Sequence, residues 1–497
     1  MLKLGFWILC GLTVLRYWVC FQAPIVPSEA YLYMCTRRLD FAFFDGPAGP
    51  ATLVYWGSKL FTNSLLAFRW SAPLFSLVAT VVAYFLGKKL YGVSAGFASA
   101  LLINVLPGFQ IGSIQPESTL PALTFWILGM LCIWNALKTS NWWWWIAGGT
   151  VLALGLQFSY WILLALVSCI LCVLGKRSYF SVATLIGCGI LFFLCLAALT
   201  GPIEWNIRQH WIPFSGWTWE ALVVLEHWKH ILVSLLRQTS LPGAFLVVLA
   251  LILCFQNIRL SIKARFLTAF VVPPLVATLF LIIRSEQGPI LFAVVPLFVW
   301  LGGNWQSTSP KLAWGNAVIC ALTAFCSLLT LVTWPSFANK GLQKAAITVE
   351  QIARIQNAIF SSELGKIFFI AETPAIVAEF EYAFAQMGSA SKTSNRYEIF
   401  LRESPDLSNQ LRLWPSYCDF SDSTHPSDPL FTEQKGINRY LGRSALYITP
   451  EEGLLPQTIS AAFQRIIPLH TLRIRRNGQV SRQLNVYLCR NYQSLPL

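Results

Sequence analysis

The chain has 497 residues, of which 56% are hydrophobic and 12% charged, with a formal net charge of +14. That composition excludes a water-soluble globular fold for most of the chain and fits a polytopic membrane protein. It also argues against nucleic acid as a partner, because the basic residues form no stripe; most fall in short loops between apolar runs, the positive-inside pattern.

A membrane span needs roughly 20 apolar residues. About eleven runs qualify, at 5–22, 66–87, 93–113, 119–137, 142–158, 160–175, 180–201, 240–257, 265–283, 288–303 and 312–334. With the N-terminus in the cytoplasm, the inside loops hold Lys88 and Lys89, Lys138, Lys176 and Arg177, then Arg259, Lys263 and Arg265, and Lys311. The first run lacks a small-residue cleavage site and reads as an uncleaved span. Arg16 lies within it and is expected to snorkel to the outer interface.

Segments 23–65 and 202–238 are too polar to span and read as interfacial loops with short helices, both on the outer side. The run "NWWWW" at 141–145 reads as an interfacial aromatic belt. Together, 1–338 read as a transmembrane domain.

From 339 to 497 the pattern becomes that of a soluble α/β domain, placed outside the cytoplasm by the same alternation. "KIFFIAE", "RYEIFL" and "SALYITP" read as strands. "TPAIVAEFEYAFAQMG" has a Thr cap and helical spacing. "LHTLRIRRNGQVSRQLNVYLC" alternates on both sides of Asn477-Gly478, a hairpin signal. Of the 13 cysteines most are scattered through apolar runs. Cys169 and Cys172 lack a second pair for zinc and read as small buried residues. Cys418 and Cys489 would be free to pair if their domain is extracytoplasmic.

The ionisable residues of the outer rim come from separate loops: Glu29, Arg37, Arg38, Asp40, Asp45, Arg69, Glu117, Glu204, Arg208, His210, Arg284 and Glu286. Carboxylates and arginines gathered at a membrane face suit an anionic, lipid-linked substrate. Arginine clamps phosphate bidentately and a carboxylate takes a proton from an attacking hydroxyl. Taken singly, each reads as an ordinary solvated loop charge. No P-loop, G-x-S-x-G or H-E-x-x-H is present.

The order "FDGP", "AFRWSAP", "IQPESTLPALTFW", "PIEWNIRQHWIPF" resembles the bacterial dolichyl-phosphate-mannose-protein mannosyltransferase-like glycosyltransferases of the GT-C fold, and among them the lipid A aminoarabinose transferases. The likeness extends into the tail at "AEFEYAF" and "LRLWPSY". It implies transfer of a sugar from a polyprenyl-phosphate donor to a cell-envelope acceptor (glycolipid, glycan or protein) at the outer face of a bacterial inner membrane, with a divalent metal in some members.

Carried over residue by residue, the resemblance places Glu29, Asp45 and Glu117 as candidate catalytic carboxylates. It places Arg69 at the donor phosphate and Tyr31 and Asn206 in acceptor or loop positioning; from the rim charges alone, Arg37 and Arg38 are read as further phosphate contacts and His210 as a further positioning residue. Several positions depart from the family's pattern. Ser28 stands where the family has its catalytic Asp, and serine is no carboxylate base at neutral pH. Gly46 replaces a His, Gln115-Pro116-Glu117 replaces Thr-Pro-Asp, and Ser159-Tyr160 replaces Lys-Tyr. Two readings follow: a transferase with a variant site, its base Glu29 or Asp45, or a catalytically inactive homologue that binds a polyprenyl-phosphate lipid or a partner enzyme. A transporter is disfavoured, since the apolar runs show no matching halves.

Overall fold

The computed structural model describes residues 2–22, 25–61, 65–139, 141–176, 179–214, parts of 236–252, 261–281, 289–304, 367–390, 398–403, 409–418, 440–450, 455–476 and 479–493. The expected span at 312–334 lies outside them, as do most of 215–238 and the turn at 477–478. The chain divides into two units: residues 1–23 with 39–337, and 24–38 with 338–497. The short segment Pro24–Arg38, expected within the 1–338 domain, groups with the second unit.

In the first unit the helices are α1 (Leu2–Gln22), α3 (Gly49–Leu60), α4 (Leu65–Arg69), α5 (Ser71–Tyr91), α6 (Val93–Ile103), α7 (Pro107–Gly112), α8 (Thr119–Thr139), α9 (Trp142–Leu156), α10 (Leu164–Leu174), α11 (Val182–Ala198), α12 (Thr200–Arg208), α13 (Ile262–Leu281) and α14 (Ile290–Asn304). A two-stranded ribbon, β1 (Ala42–Phe43) with β2 (Gly46–Pro47), precedes α3. Among the described residues, three stretches are long and apolar enough to cross a membrane: Leu65–Tyr91, Thr119–Thr139 and Val182–Arg208. Shorter apolar helices include Val93–Ile103, Trp142–Leu156, Tyr160–Leu174 and Ile290–Asn304.

Local chemistry sets the breaks. Asn141 caps α9 by accepting from Trp143 N at 3.0 Å, and Ser181 caps α11 by accepting from Thr184 N at 3.2 Å. Gly92, at φ +103°, turns α5 into α6, a conformation L side chains rarely adopt. The run 93–113, expected as one span, is broken. The ring of Pro107 pushes Leu106 into an extended conformation, so α6 stops and α7 restarts. The run 180–201 instead continues through α12 to Arg208.

Helix α8 lies at the heart of this unit. Its Trp126 is fully buried and meets Phe270 and Phe292 edge-on at 5.5 and 5.3 Å. Trp142, Trp143 and Trp144 of the aromatic run are exposed, whereas Trp145 is buried. Cys169 Sγ lies 3.8 Å from Cys188 Sγ, with Cys172 buried beside it.

The second unit holds α2 (Pro27–Thr36), β3 (Phe368–Ala371), α15 (Pro374–Ala390), β4 (Ile399–Leu401), β5 (Ala445–Thr449), α16 (Gln457–Ser460), β6 (Phe463–Arg476) and β7 (Gln479–Tyr492). The sheet order is β4-β3-β5-β7-β6, the first three strands parallel and the last two antiparallel additions. The strand β6 is an edge, and the register slips beside Pro468, which cannot donate to the ladder. Helix α2 shares a core with α15: Ala30 and Met34 pack among Ile376, Val377 and Phe380, and Tyr33 meets Tyr382 edge-on at 5.5 Å. Cys418 and Cys489 are both free thiols, not a disulfide. Cys489 is fully buried in β7, and burial pushes its thiol up to about 12.

Candidate active site

Asp45 sits in the two-residue turn of the ribbon, after Phe44, and is exposed. The ribbon is anchored on both sides. Ahead of it, Arg208 Nη2 of α12 donates to Asp40 Oδ1 at 3.0 Å, and Arg208 also faces Glu204 at 3.8 Å. Phe41 lies against Gly201, where a Cβ would come within 2.7 Å of the ring. Behind it, Gly49 N donates to Gln157 O at 2.8 Å, and a Cβ on Gly49 would meet that oxygen at 2.2 Å. Only glycine allows the approach. Gln157 in turn donates through Nε2 to Ala198 O at 3.1 Å, tying the ends of α9 and α11 together. The adjoining Ser159 caps a 3-10 turn by accepting from Trp161 N, and Tyr160 Oη is buried with no hydrogen-bond partner among the described residues.

At the end of α12, Asn206 is buried and donates to Pro202 O at 2.8 Å, while its Oδ1 has no partner among the described residues. His210 is exposed, and it and Trp211 both adopt positive φ, at 51° and 56°. Two successive non-glycine residues there make a strained turn, closed by Trp211 N donating to Asn206 O at 2.9 Å.

Arg69 is buried at the end of α4 and donates from Nη1 to Cys20 O at 3.2 Å. Cys20 Sγ points to Ile114 O at 3.7 Å. Glu117 follows three residues later, half-buried, its N–H donating to Gln115 O at 2.8 Å across Pro116. One turn deeper, Arg16 is 1% exposed. It has not snorkelled outward. Its guanidinium donates to Gln110 Oε1 at 2.9 and 3.2 Å, to Ser76 Oγ at 3.0 Å and to Asn104 Oδ1 at 2.7 Å, and lies over the Phe109 ring. The break between α6 and α7 supplies this cage. Sequence reasoning had found the arginine but not its neutral partners, which come from three other helices or their ends.

The remaining candidates belong to the second unit. Glu29, 1% exposed, accepts from Val26 N at 3.1 Å, so its carboxylate serves the first turn of α2, where negative charge is favoured. Ser28 beside it is exposed. Tyr31 packs half-buried against the core of that unit. Arg37 pairs with Glu381, and Arg38 lies over the Trp414 ring at 5.1 Å. Burial pushes Glu381 above the usual carboxylate value, and Arg37 works against that rise. The structure thus draws Asp40, Glu204 and Arg208 into one group and joins Arg69 to the segment leading to Glu117. Glu29, Tyr31, Arg37 and Arg38 form a third group on the other unit. Among the described residues no three His, Cys, Asp or Glu side chains converge on one point.

Residues 45–200 match the family model of dolichyl-phosphate-mannose-protein mannosyltransferase. The undecaprenyl phosphate-alpha-4-amino-4-deoxy-L-arabinose arabinosyl transferase of Pseudomonas aeruginosa is 23% identical over 203 residues, 39% of this chain and 35% of that one. The STT3B subunit of the Arabidopsis thaliana dolichyl-diphosphooligosaccharide–protein glycosyltransferase is 29% identical over 136 residues, 27% of this chain and 18% of that one. These matches therefore span about a third and a fifth of the relatives' lengths. The crystal structure of ArnT from Cupriavidus metallidurans bound to undecaprenyl phosphate superposes with a TM-score of 0.58 at 12% identity, covering 98% of this chain and 97% of that one. Its apo form gives 0.60 at 10% identity. Residues 45–200 thus resemble the mannosyltransferase family, and the chain as a whole has the GT-C fold of these membrane transferases.

Proposed function

We propose that this protein transfers a sugar from a polyprenyl-phosphate donor to a cell-envelope acceptor at the extracytoplasmic face of a bacterial inner membrane. The second unit would lie on that same side. The observation that carries this reading is Asp45. It is an exposed carboxylate on a tight ribbon, at the start of the segment that matches the mannosyltransferase model, and that ribbon is anchored through Asp40 at Arg208 and through Gly49 at Gln157.

In the reaction, the acceptor hydroxyl attacks the anomeric carbon and gives its proton to a carboxylate. The bond from that carbon to the phosphate oxygen breaks, and the lipid phosphate leaves with the electron pair. We assign the base to Asp45, because Glu29 already accepts from the backbone of its own helix. Glu117 orients the acceptor. Of the arginines, Arg208 is tied to the Asp45 segment through Asp40 and is placed at the departing phosphate, whereas Arg37 and Arg38 are engaged within the second unit. Arg69 holds the end of α1 in place.

The test is turnover by purified protein in nanodiscs with a panel of polyprenyl-phosphate sugars and an acceptor extract. Asp45→Asn should lower transfer at least ~100-fold, the range for loss of a general base, with donor binding retained. Full turnover in that variant would overturn the assignment. A second reading, a lipid-binding homologue without activity, is favoured by Ser28 and by the capping role of Glu29. Donor binding without turnover by the wild type would select it.

A further inference from the structure

The first unit also contains a cleft of about 440 Å³ that none of the carboxylates described above lines. Trp134 of α8, Leu171 and Cys172 of α10, and Phe266 and Val272 of α13 give it apolar walls. Its polar end is formed where α10 stops and α13 starts, by Lys176, Tyr179 and Arg265. Lys176 lies over the Tyr179 ring at 4.8 Å, and Arg265 Nη1 reaches Gly175 O at 3.5 Å. Lys138 stands over the lining Trp134 at 5.0 Å. The segments that build this cleft carry no acidic residue: none occurs between Glu117 and Glu204, or between Glu226 and Glu286. The wall segments therefore add positive charge to the cleft and no carboxylate of their own. An apolar slot of ordinary ligand size ending in an ammonium and a guanidinium matches an amphiphile with an anionic head.

We propose that this cleft is a site for an acidic phospholipid, with an acyl chain lying between α8, α10 and α13 and the phosphodiester held by Lys176 and Arg265. Basic pockets between membrane helices on the cytoplasmic side bind such head groups, and Lys176 and Arg265 fall on that side in the orientation proposed above. The site does not depend on the transfer reaction, so failure of either reading leaves the other standing.

The test is native mass spectrometry of the full chain purified from mixed phosphatidylglycerol and phosphatidylcholine, with folding of every variant checked by its melting profile. The wild type should retain phosphatidylglycerol selectively. The double variant Lys176→Gln/Arg265→Gln should lose that selectivity by about tenfold, as expected for two interfacial cations. Ala269→Trp, which fills the cleft, should remove bound lipid of both kinds; if it fails to fold, the charge variant decides alone. Lys88→Gln/Lys89→Gln, exposed residues at the end of α5, should change nothing. Equal retention of the two lipids by the wild type would overturn the proposal. So would unaltered selectivity in the double variant, an equal loss in the Lys88/Lys89 control, or displacement of the lipid by millimolar inorganic phosphate.

Discussion

Two charged places in the first unit obey opposite rules. Arg16 is buried and held wholly by neutral side chains from α5, the end of α6 and α7. Asp40, Glu204 and Arg208 are partly exposed, and each is matched by opposite charge. A charge removed from water needs every donor satisfied, because an unmet one costs far more in a low dielectric. At the rim, water does most of that work and the pairs contribute little. The buried place therefore governs architecture, and the exposed group leaves its charges accessible to solvent.

The sharpest way to break this contrast is Arg16→Met. It strands the acceptors of Asn104 and Gln110 and should cost about 2–6 kcal/mol, the range for two buried polar groups left unmet. The melting temperature in detergent is the readout. Arg16→Lys should recover part of the loss, since one ammonium cannot span all three partners. A melting temperature in Arg16→Met equal to wild type would erase the distinction.

Next comes Gly49→Ala, which drives a Cβ into Gln157 O. About 1–3 kcal/mol of overpacking strain is expected, together with reduced turnover, because the ribbon bearing Asp45 loses its anchor. Wild-type melting and turnover would show that the ribbon is held elsewhere. A double-mutant cycle with Asp40→Asn and Arg208→Gln should give a coupling of no more than about 1 kcal/mol, falling with added salt. A larger, salt-insensitive coupling would place this pair with Arg16 and not with the rim.

The last effect is silent at neutral pH and concerns the second unit. Cys489 has a thiol raised by burial from 9.0 to about 12, so the fold keeps a proton that the unfolded chain would give up. The sign follows from linkage: stability is full below about 9 and is lost as pH rises towards about 12. Cys489→Ala should flatten part of that alkaline decline in urea or thermal melts. An unchanged alkaline slope would assign the decline to other groups.

Much of the local structure was legible along the chain. Alternation around Asn477-Gly478 foretold the pairing of β6 with β7, and Thr373 marked the start of α15, accepting from Ile376 N. The carboxylate of Asp45 and the cation of Arg16 were visible as polar residues among apolar ones. Their neighbours were not, because Asp40 and Arg208 are 168 positions apart and Arg16 and Gln110 are 94 apart. The reading of 93–113 as one span failed at Pro107, whose steric effect on Leu106 outweighed the apolar composition.

By itself, the sequence determined a membrane-type chain of apolar runs joined by basic or acid-bearing loops, followed by a strand-bearing tail. These follow from hydropathy, charge placement and alternation, which act between near neighbours. Tertiary structure alone decided that Pro24–Arg38 goes with the tail, that Glu29 caps its own helix and that Arg16 stays inside. It also decided that Asp45 is held between two distant anchors. Each of these is a choice of partner. Partners are selected by packing and by the cost of leaving a buried polar group unmet, and that cost is settled only when remote segments meet.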